Sequence, residues 1–125
     1  MNKYKVGIVG FSGYSGAELL RLLTTHPQTE PILLEHRQDQ SSRPAPINHP
    51  QPRRAPCSAE SVRTEGLAAV FLATPPEVSM ELAPALLDAG AKVIDLSGAF
   101  RLPDAATYTR WYKQEHTAPQ LLAEA

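Results

Sequence analysis

Apolar positions along the chain fall into short continuous runs separated by polar, turn-forming segments. Tyr4-Lys5-Val6-Gly7-Ile8-Val9 is apolar and β-branched, the pattern of a buried strand. Ala17-Glu18-Leu19-Leu20-Arg21-Leu22-Leu23 follows, with leucines on one broad face of a helix. His26-Pro27 closes that helix, because the residue before a proline avoids helical geometry. Pro31-Ile32-Leu33-Leu34-Glu35-His36 reads as a second strand and Ala69-Val70-Phe71-Leu72-Ala73 as a third, ended by Thr74-Pro75-Pro76. From Glu77 to Ala89 the spacing of Val78, Leu82, Leu86 and Ala89 is helical, with Pro84 predicting a kink or break and Gly90 a C-terminal cap. Lys92-Val93-Ile94-Asp95-Leu96 is a further strand. Asp104 is placed to cap a short helix reaching Trp111, and another helix begins near Pro119.

Strand, helix, strand within about 35 residues is a βαβ unit, whose crossover is right-handed almost without exception. Its recurrence predicts an α/β fold: a Rossmann-like, doubly wound, mostly parallel sheet with helices on both faces. Residues 1–125 make one dinucleotide-binding domain of ordinary size. The stretch at about 38–57 carries Pro44, Pro46, Pro50, Pro52 and Pro56, and is expected to be an irregular, exposed loop. The last helix runs out at Ala125, so the chain is expected to be a fragment of a longer protein.

At 42% hydrophobic and 20% charged residues, the composition suits a globular domain that buries its own core. The net charge of -1 supplies no basic field for nucleic acid or an anionic membrane, so neither is expected as a partner. The Arg53-Arg54 pair, set among prolines, reads as a solvated loop. Cys57, the single cysteine, makes neither an internal disulfide nor a multi-cysteine zinc site, which fits a reducing cytoplasm. No metal site is expected. The Val6–Val9 run is too short for a secretory core, and no run approaches the roughly 20 apolar residues of a bilayer span.

The chemistry concentrates where the first strand meets the first helix. Gly10, Gly13 and Gly16 form G-x-x-G-x-x-G, a variant of the dinucleotide fingerprint. Glycines let the chain turn tightly and let main-chain N–H groups approach a pyrophosphate with no Cβ in the way. The helix opening near Ser15 aims its unpaired amides and positive dipole end at that anion, with Ser12 and Ser15 adding hydroxyl donors. At the end of the second strand an acidic side chain suits the 2′-hydroxyl of NAD, and an arginine the 2′-phosphate of NADP. The chain has both Glu35 and Arg37, followed by Ser41, Ser42 and Arg43, and spacing leaves the cofactor open. Thr74 and Pro75, and the segment from Ser97 to Arg101, belong to later loops that gather at the carboxyl edge of the sheet, where ligands bind in open α/β folds. Arg101 is the candidate for holding an anionic substrate.

The run Lys5-Val6-Gly7-Ile8-Val9-Gly10-Phe11-Ser12-Gly13-Tyr14-Ser15-Gly16-Ala17-Glu18 resembles the start of the N-acetyl-gamma-glutamyl-phosphate reductases, in the semialdehyde dehydrogenase superfamily. Phe71-Leu72-Ala73-Thr74-Pro75-Pro76-Glu77-Val78, Lys92-Val93-Ile94-Asp95-Leu96-Ser97, Phe100-Arg101-Leu102, Tyr108, Trp111-Tyr112, His116 and Pro119 continue the resemblance, which is weakest from Gln38 to Leu67. It implies NADP as the cofactor, with NAD second. It implies pyrophosphate contacts from Gly10, Ser12, Gly13, Tyr14, Ser15 and Gly16, and a 2′-phosphate contact from Arg37 with a nearby serine such as Ser41. Thr74 and Pro75 would meet the ribose or nicotinamide side, and Ser97 and Arg101 the substrate. The implied reaction reduces N-acetyl-glutamyl 5-phosphate to the semialdehyde in arginine synthesis, a small-molecule acyl phosphate being the partner. The family's catalytic cysteine and histidine lie in a second domain, so this chain is expected to be inactive alone and monomeric, and the whole protein oligomeric. Cys57 does not stand in the family's Pro-Gly-Cys setting, and His116 is expected to order the segment after Trp111. Gly98-Ala99 stands where the family has Ala-Asp and is closer to aspartate-semialdehyde dehydrogenase. That enzyme, a lysine-pathway homologue and a non-catalytic nucleotide-binding module are the alternatives.

Overall fold

The computed structural model describes residues 3–36, 52–102, 104–112 and 115–122. Among them β1 (Tyr4–Val9), β2 (Thr29–Glu35), β3 (Arg53–Pro56), β4 (Ala69–Leu72) and β5 (Lys92–Asp95) form one sheet, ordered β3-β2-β1-β4-β5. Every pairing is parallel, and the register aligns Val9 with both Leu34 and Leu72, and Leu72 with Asp95. The helices are α1 (Tyr14–Thr25), α2 (Ala59–Glu65), α3 (Pro76–Asp88) and α4 (Ala105–Tyr112), with a 3-10 turn at Pro119–Leu121. The order reverses between β1 and β4, which places a crevice outside their carboxyl ends.

Alternation along the strands divides the core between two faces. Ile8 and Leu33 pack with Phe11 under Leu19, Leu20 and Leu23 of α1. Their neighbours Val9, Ile32 and Leu34 point the other way and join Val62 of α2 and Ala83 and Leu86 of α3. This two-sided burial is why the strands read as unbroken apolar runs rather than alternating ones. Leu34, Val70 and Leu72 are wholly buried. A satellite cluster of Met80, Ala99 and Tyr108 fixes α4 beside the start of α3. His116 closes it: its Nδ1 accepts from the Ala118 N–H at 3.1 Å, and its Nε2 donates to the Ala99 carbonyl at 2.7 Å. The ring also stands edge-on to Phe100 and Tyr108. The expected ordering role of His116 is thus visible in the geometry.

The chain departs from expectation in several places. Arg53–Pro56, assigned to the irregular loop, is an edge strand, with Arg54 opposite Leu33 and Pro56 opposite Glu35. An edge position tolerates flanking prolines because only one side of the strand needs donors. The Arg53-Arg54 pair is accordingly not a solvated loop. Arg53 pairs with Glu65 at 2.8 Å, and the Arg54 guanidinium lies 5.1 Å from the centre of the Phe11 ring. Helix α2 lacks a long apolar run and was not foreseen. Its ends are set by the Ser58 hydroxyl, accepting from the Ser61 N–H, and by Gly66 at φ 65°. Helix α3 continues through Pro84 without a break. A proline inside a helix costs about 3 kcal/mol, and burial of Ala83 and Leu86 on either side of it holds the helix on the sheet. The expected cap at Gly90 is present: it adopts φ 101°, and the Gly90 and Ala91 N–H groups return to Leu87 and Leu86.

Candidate functional site

The parallel register brings three loops to one edge. Gly10 follows β1, Thr74 follows β4, and Ser97 follows β5, and hydrogen bonds from the Ala73 N–H to Val9 and from the Leu96 N–H to Leu72 carry the ladder to that edge. Gly10 and Thr74 flank the reversal in strand order.

The three glycines do different work. Gly10 sits at φ 82°, and a Cβ there would lie 2.2 Å from the Ala73 carbonyl oxygen, so the turn itself requires glycine. A Cβ on Gly16 would come within 2.1 Å of the Gly10 oxygen and 2.7 Å of the Phe11 Cα. Glycine at that position lets α1 pack against the end of β1. Gly13 is different: its backbone is extended at φ -85°, ψ 175°, and a Cβ would meet only the Gly10 oxygen at 3.7 Å. Packing among the described residues therefore gives no reason for glycine at position 13. The space beside it is open, as close approach of a ligand's phosphate to the backbone requires.

Gly13 is also the N-cap of α1. As a glycine it brings no capping side chain of its own, and the first turn holds no acidic residue. Ser12, Tyr14 and Ser15 are exposed around it, Tyr14 almost completely. The opening turn thus combines backbone donors, the positive end of a helix dipole and flanking hydroxyls, and the nearest acidic side chain on α1, Glu18, is paired with Arg21.

Thr74 lies against this turn, its Cγ2 3.3 Å from the position of a Gly10 Cβ, and exposed Pro75 caps α3. The Thr74 hydroxyl is 2.8 Å from that of Ser79, which is fully buried and donates to Asp95 Oδ1 at 2.8 Å. Asp95 also accepts from the Ser97 N–H at 3.0 Å and from the Ser97 hydroxyl at 2.8 Å. The Ser97 hydroxyl in turn accepts from the Ala99 N–H at 3.1 Å. Ser97 is therefore an organiser of its loop, with its proton given to Asp95. Neither Ser79 nor Asp95 was picked out from the sequence. Their signals were a serine within an apolar helix face and an aspartate ending a strand, in segments that carry the family resemblance.

Arg101 is exposed and touches the Leu96 carbonyl at 3.4 Å. It has no carboxylate partner among the described residues. With Asp95, Ser97 and Phe100 it lines an open cavity of about 370 Å³ that runs beside β5 to Leu87 and Leu121. Arg37 and Ser41 lie outside the described residues. The structure therefore brings together Gly10, Ser12, Gly13, Tyr14, Ser15, Gly16, Thr74 and Pro75, and places Ser97 and Arg101 one strand further along the same edge. Among the described residues no group of acidic, histidine or cysteine side chains is arranged to hold a metal, and no helix is long and apolar enough to cross a membrane.

Comparison with known proteins agrees with this geometry. The chain is 45% identical over 125 residues to the N-acetyl-gamma-glutamyl-phosphate reductase of Herminiimonas arsenicoxydans, and 47% identical over 126 to that of Pseudomonas savastanoi pv. phaseolicola. Each alignment takes in 97% of this chain and 36% of the relative, so the chain spans about a third of these proteins' length. In fold it resembles aspartate semialdehyde dehydrogenase from Candida albicans, solved with NADP (TM-score 0.65, 21% identity, 83% of this chain and 32% of that one). It also resembles aspartate semialdehyde dehydrogenase II from Vibrio cholerae (TM-score 0.63, 24% identity, 81% and 30%). The family model for the semialdehyde dehydrogenase NAD binding domain matches residues 5–121, and the chain belongs to that family.

Proposed function

We propose that this chain is the NADP(H)-binding part of an N-acetyl-gamma-glutamyl-phosphate reductase, a cytoplasmic enzyme that reduces N-acetyl-glutamyl 5-phosphate to the semialdehyde. The observation that carries the dinucleotide reading is Gly13: a glycine that packing among the described residues does not require, at the N-cap of α1 beside the switch point. The identity of 45–47% to reductases of that name carries the choice of reaction. When bound, the cofactor supplies hydride.

In this reading the residues of the chain bind and orient. Gly10 and Gly16 shape the turn, and the amides from Gly13 to Ser15, with the Ser12 and Ser15 hydroxyls, hold the diphosphate. Arg37, with Ser41, takes the 2′-phosphate that distinguishes NADP from NAD. Thr74 and Pro75 flank the nicotinamide half. Arg101 faces the anionic acyl phosphate, and its lack of an internal carboxylate partner among the described residues suits that task. Catalysis, and assembly into an oligomer, belong to the whole protein.

Titration of the chain with NADPH and with NADH, followed by the cofactor's fluorescence, tests the reading. Saturable binding with NADPH preferred is expected. Absence of binding of either at about millimolar concentration, the weak limit of specific recognition, overturns it.

A further inference from the structure

The proton count along the hydrogen-bond chain below the site decides what Thr74 offers to a ligand. A hydroxyl carries one proton and two lone pairs, and an ionised carboxylate carries only acceptors. Ser79 Oγ lies 2.8 Å from Asp95 Oδ1 and donates to it. The reverse choice would set two acceptors face to face at the fully buried Ser79 hydroxyl, at the cost of an unmet polar group. Ser79 has then spent its proton. Its second neighbour, Thr74 Oγ1 at 2.8 Å, must be the donor in their contact. Asp95 is itself held by the Ser97 N–H and hydroxyl, so the polarity of the chain is anchored at its far end.

We propose that Ser79 is a positioning residue that fixes the Thr74 hydroxyl proton inward, so that Thr74 presents only an acceptor to the bound dinucleotide. The proposal rests on reading this edge as a dinucleotide site. The ligand group that matches is a hydrogen-bond donor in the nicotinamide half: a ribose hydroxyl or the carboxamide NH₂. Thr74 is half-buried beside the Gly10 turn, so an acceptor fixed there has its orientation paid for before the ligand arrives. Ser79 links the Asp95 carboxylate to Thr74, and the loops after β4 and β5 are both tied to that carboxylate.

A double-mutant cycle tests this, using equilibrium titrations of the chain and its Ser79→Ala, Thr74→Val and combined variants. A single neutral hydrogen bond is worth about threefold to tenfold in affinity. Each single variant is expected to weaken NADPH by that factor, and the double variant to be no weaker than Thr74→Val alone. Thr74→Ser, which keeps the hydroxyl, should stay within about twofold of the parent, the usual limit of independent effects. Adenosine 2′,5′-bisphosphate, which lacks the nicotinamide half, should bind all variants alike. A third ligand, 2′-phospho-ADP-ribose, separates the two donors: coupling retained with it assigns the ribose hydroxyl, and coupling lost assigns the carboxamide. The proposal is overturned if Ser79→Ala leaves NADPH affinity unchanged, adds its effect to Thr74→Val, or weakens adenosine 2′,5′-bisphosphate equally. Failure of the parent chain to bind NADPH or the bisphosphate would instead overturn the dinucleotide reading itself, and this proposal with it.

Discussion

Substituting alanine for Gly13 and for Gly16 introduces the same methyl group three residues apart and should give opposite phenotypes. At Gly13 the backbone is extended and, among the described residues beyond its chain neighbours, the nearest atom to the new Cβ is 3.7 Å away, an ordinary contact. Alanine there reduces the freedom of the unfolded chain, which stabilises by about 0.4–1 kcal/mol, but it is a poorer N-cap than glycine by a comparable amount. The net change in stability is therefore within about 1 kcal/mol, or roughly 3–6 °C in a domain of this size. The methyl projects into the open space where the diphosphate must approach. Each hydrogen bond to a charged group that is lost costs about 1.5–3 kcal/mol, so NADPH should weaken by about 10- to 100-fold per bond. At Gly16 the Cβ would lie 2.1 Å from one backbone atom and 2.7 Å from another. Neither is the end of a flexible side chain, so α1 must shift from β1, at a cost of at least about 1–3 kcal/mol. Thermal melting with and without NADPH reads both quantities. Gly13→Ala should melt close to the parent and bind poorly; Gly16→Ala should melt several degrees lower even without ligand. A Gly13→Ala chain that binds NADPH as tightly as the parent would refute the placement of the diphosphate at this turn.

Further expectations follow from other parts of the molecule. Arg37→Ala should weaken NADPH by about tenfold or more through the lost charge-assisted contact while changing NADH little; equal losses would move the 2′-phosphate elsewhere. Asp95→Ala removes the acceptor of the fully buried Ser79 hydroxyl and of two Ser97 donors. It should cost about 1–3 kcal/mol in a denaturation experiment, and an unchanged midpoint would contradict the hydrogen-bond chain. The Thr107 N–H, 2.7 Å from Asp104 Oδ1, holds the Asp104 carboxyl below its ordinary value, helped by the Thr107 side chain and the Ala106 amide. Because the folded value is the lower one, its contribution is present above the ordinary carboxylate range and is lost as the pH falls through the depressed value. Asp104→Asn should keep the cap of α4 at neutral pH and flatten the acid limb of a stability-against-pH curve, and an unaltered acid limb would show that this carboxylate does not contribute.

Much of the fold is legible in the order of residues because it follows from local rules. Apolar runs such as Val6–Val9 and Ala69–Leu72 must be buried on both faces, glycines must stand where the backbone turns against carbonyls, and His26-Pro27 must end a helix. Those rules give the strands, their parallel pairing and the turn that opens α1. The glycine spacing likewise identifies the binding edge, since a close approach leaves its mark on the residues that make it.

What the sequence alone could not assign depends on partners distant along the chain. Arg53–Pro56 has no apolar signal and becomes a strand only because β2 offers it an edge. Pro84 stays within a helix because the sheet on which Ala83 and Leu86 pack outweighs the proline's local penalty. The different tasks of Gly13 and Gly16 are invisible in a repeated motif and separate only when the Gly10 oxygen is set beside one Cβ position and farther from the other. The link from Thr74 through Ser79 to Asp95 joins residues up to 21 positions apart. Hydrogen bonds have short reach and strict direction, so which hydroxyl faces which carboxylate is decided only when the parallel register brings the ends of β4 and β5 side by side.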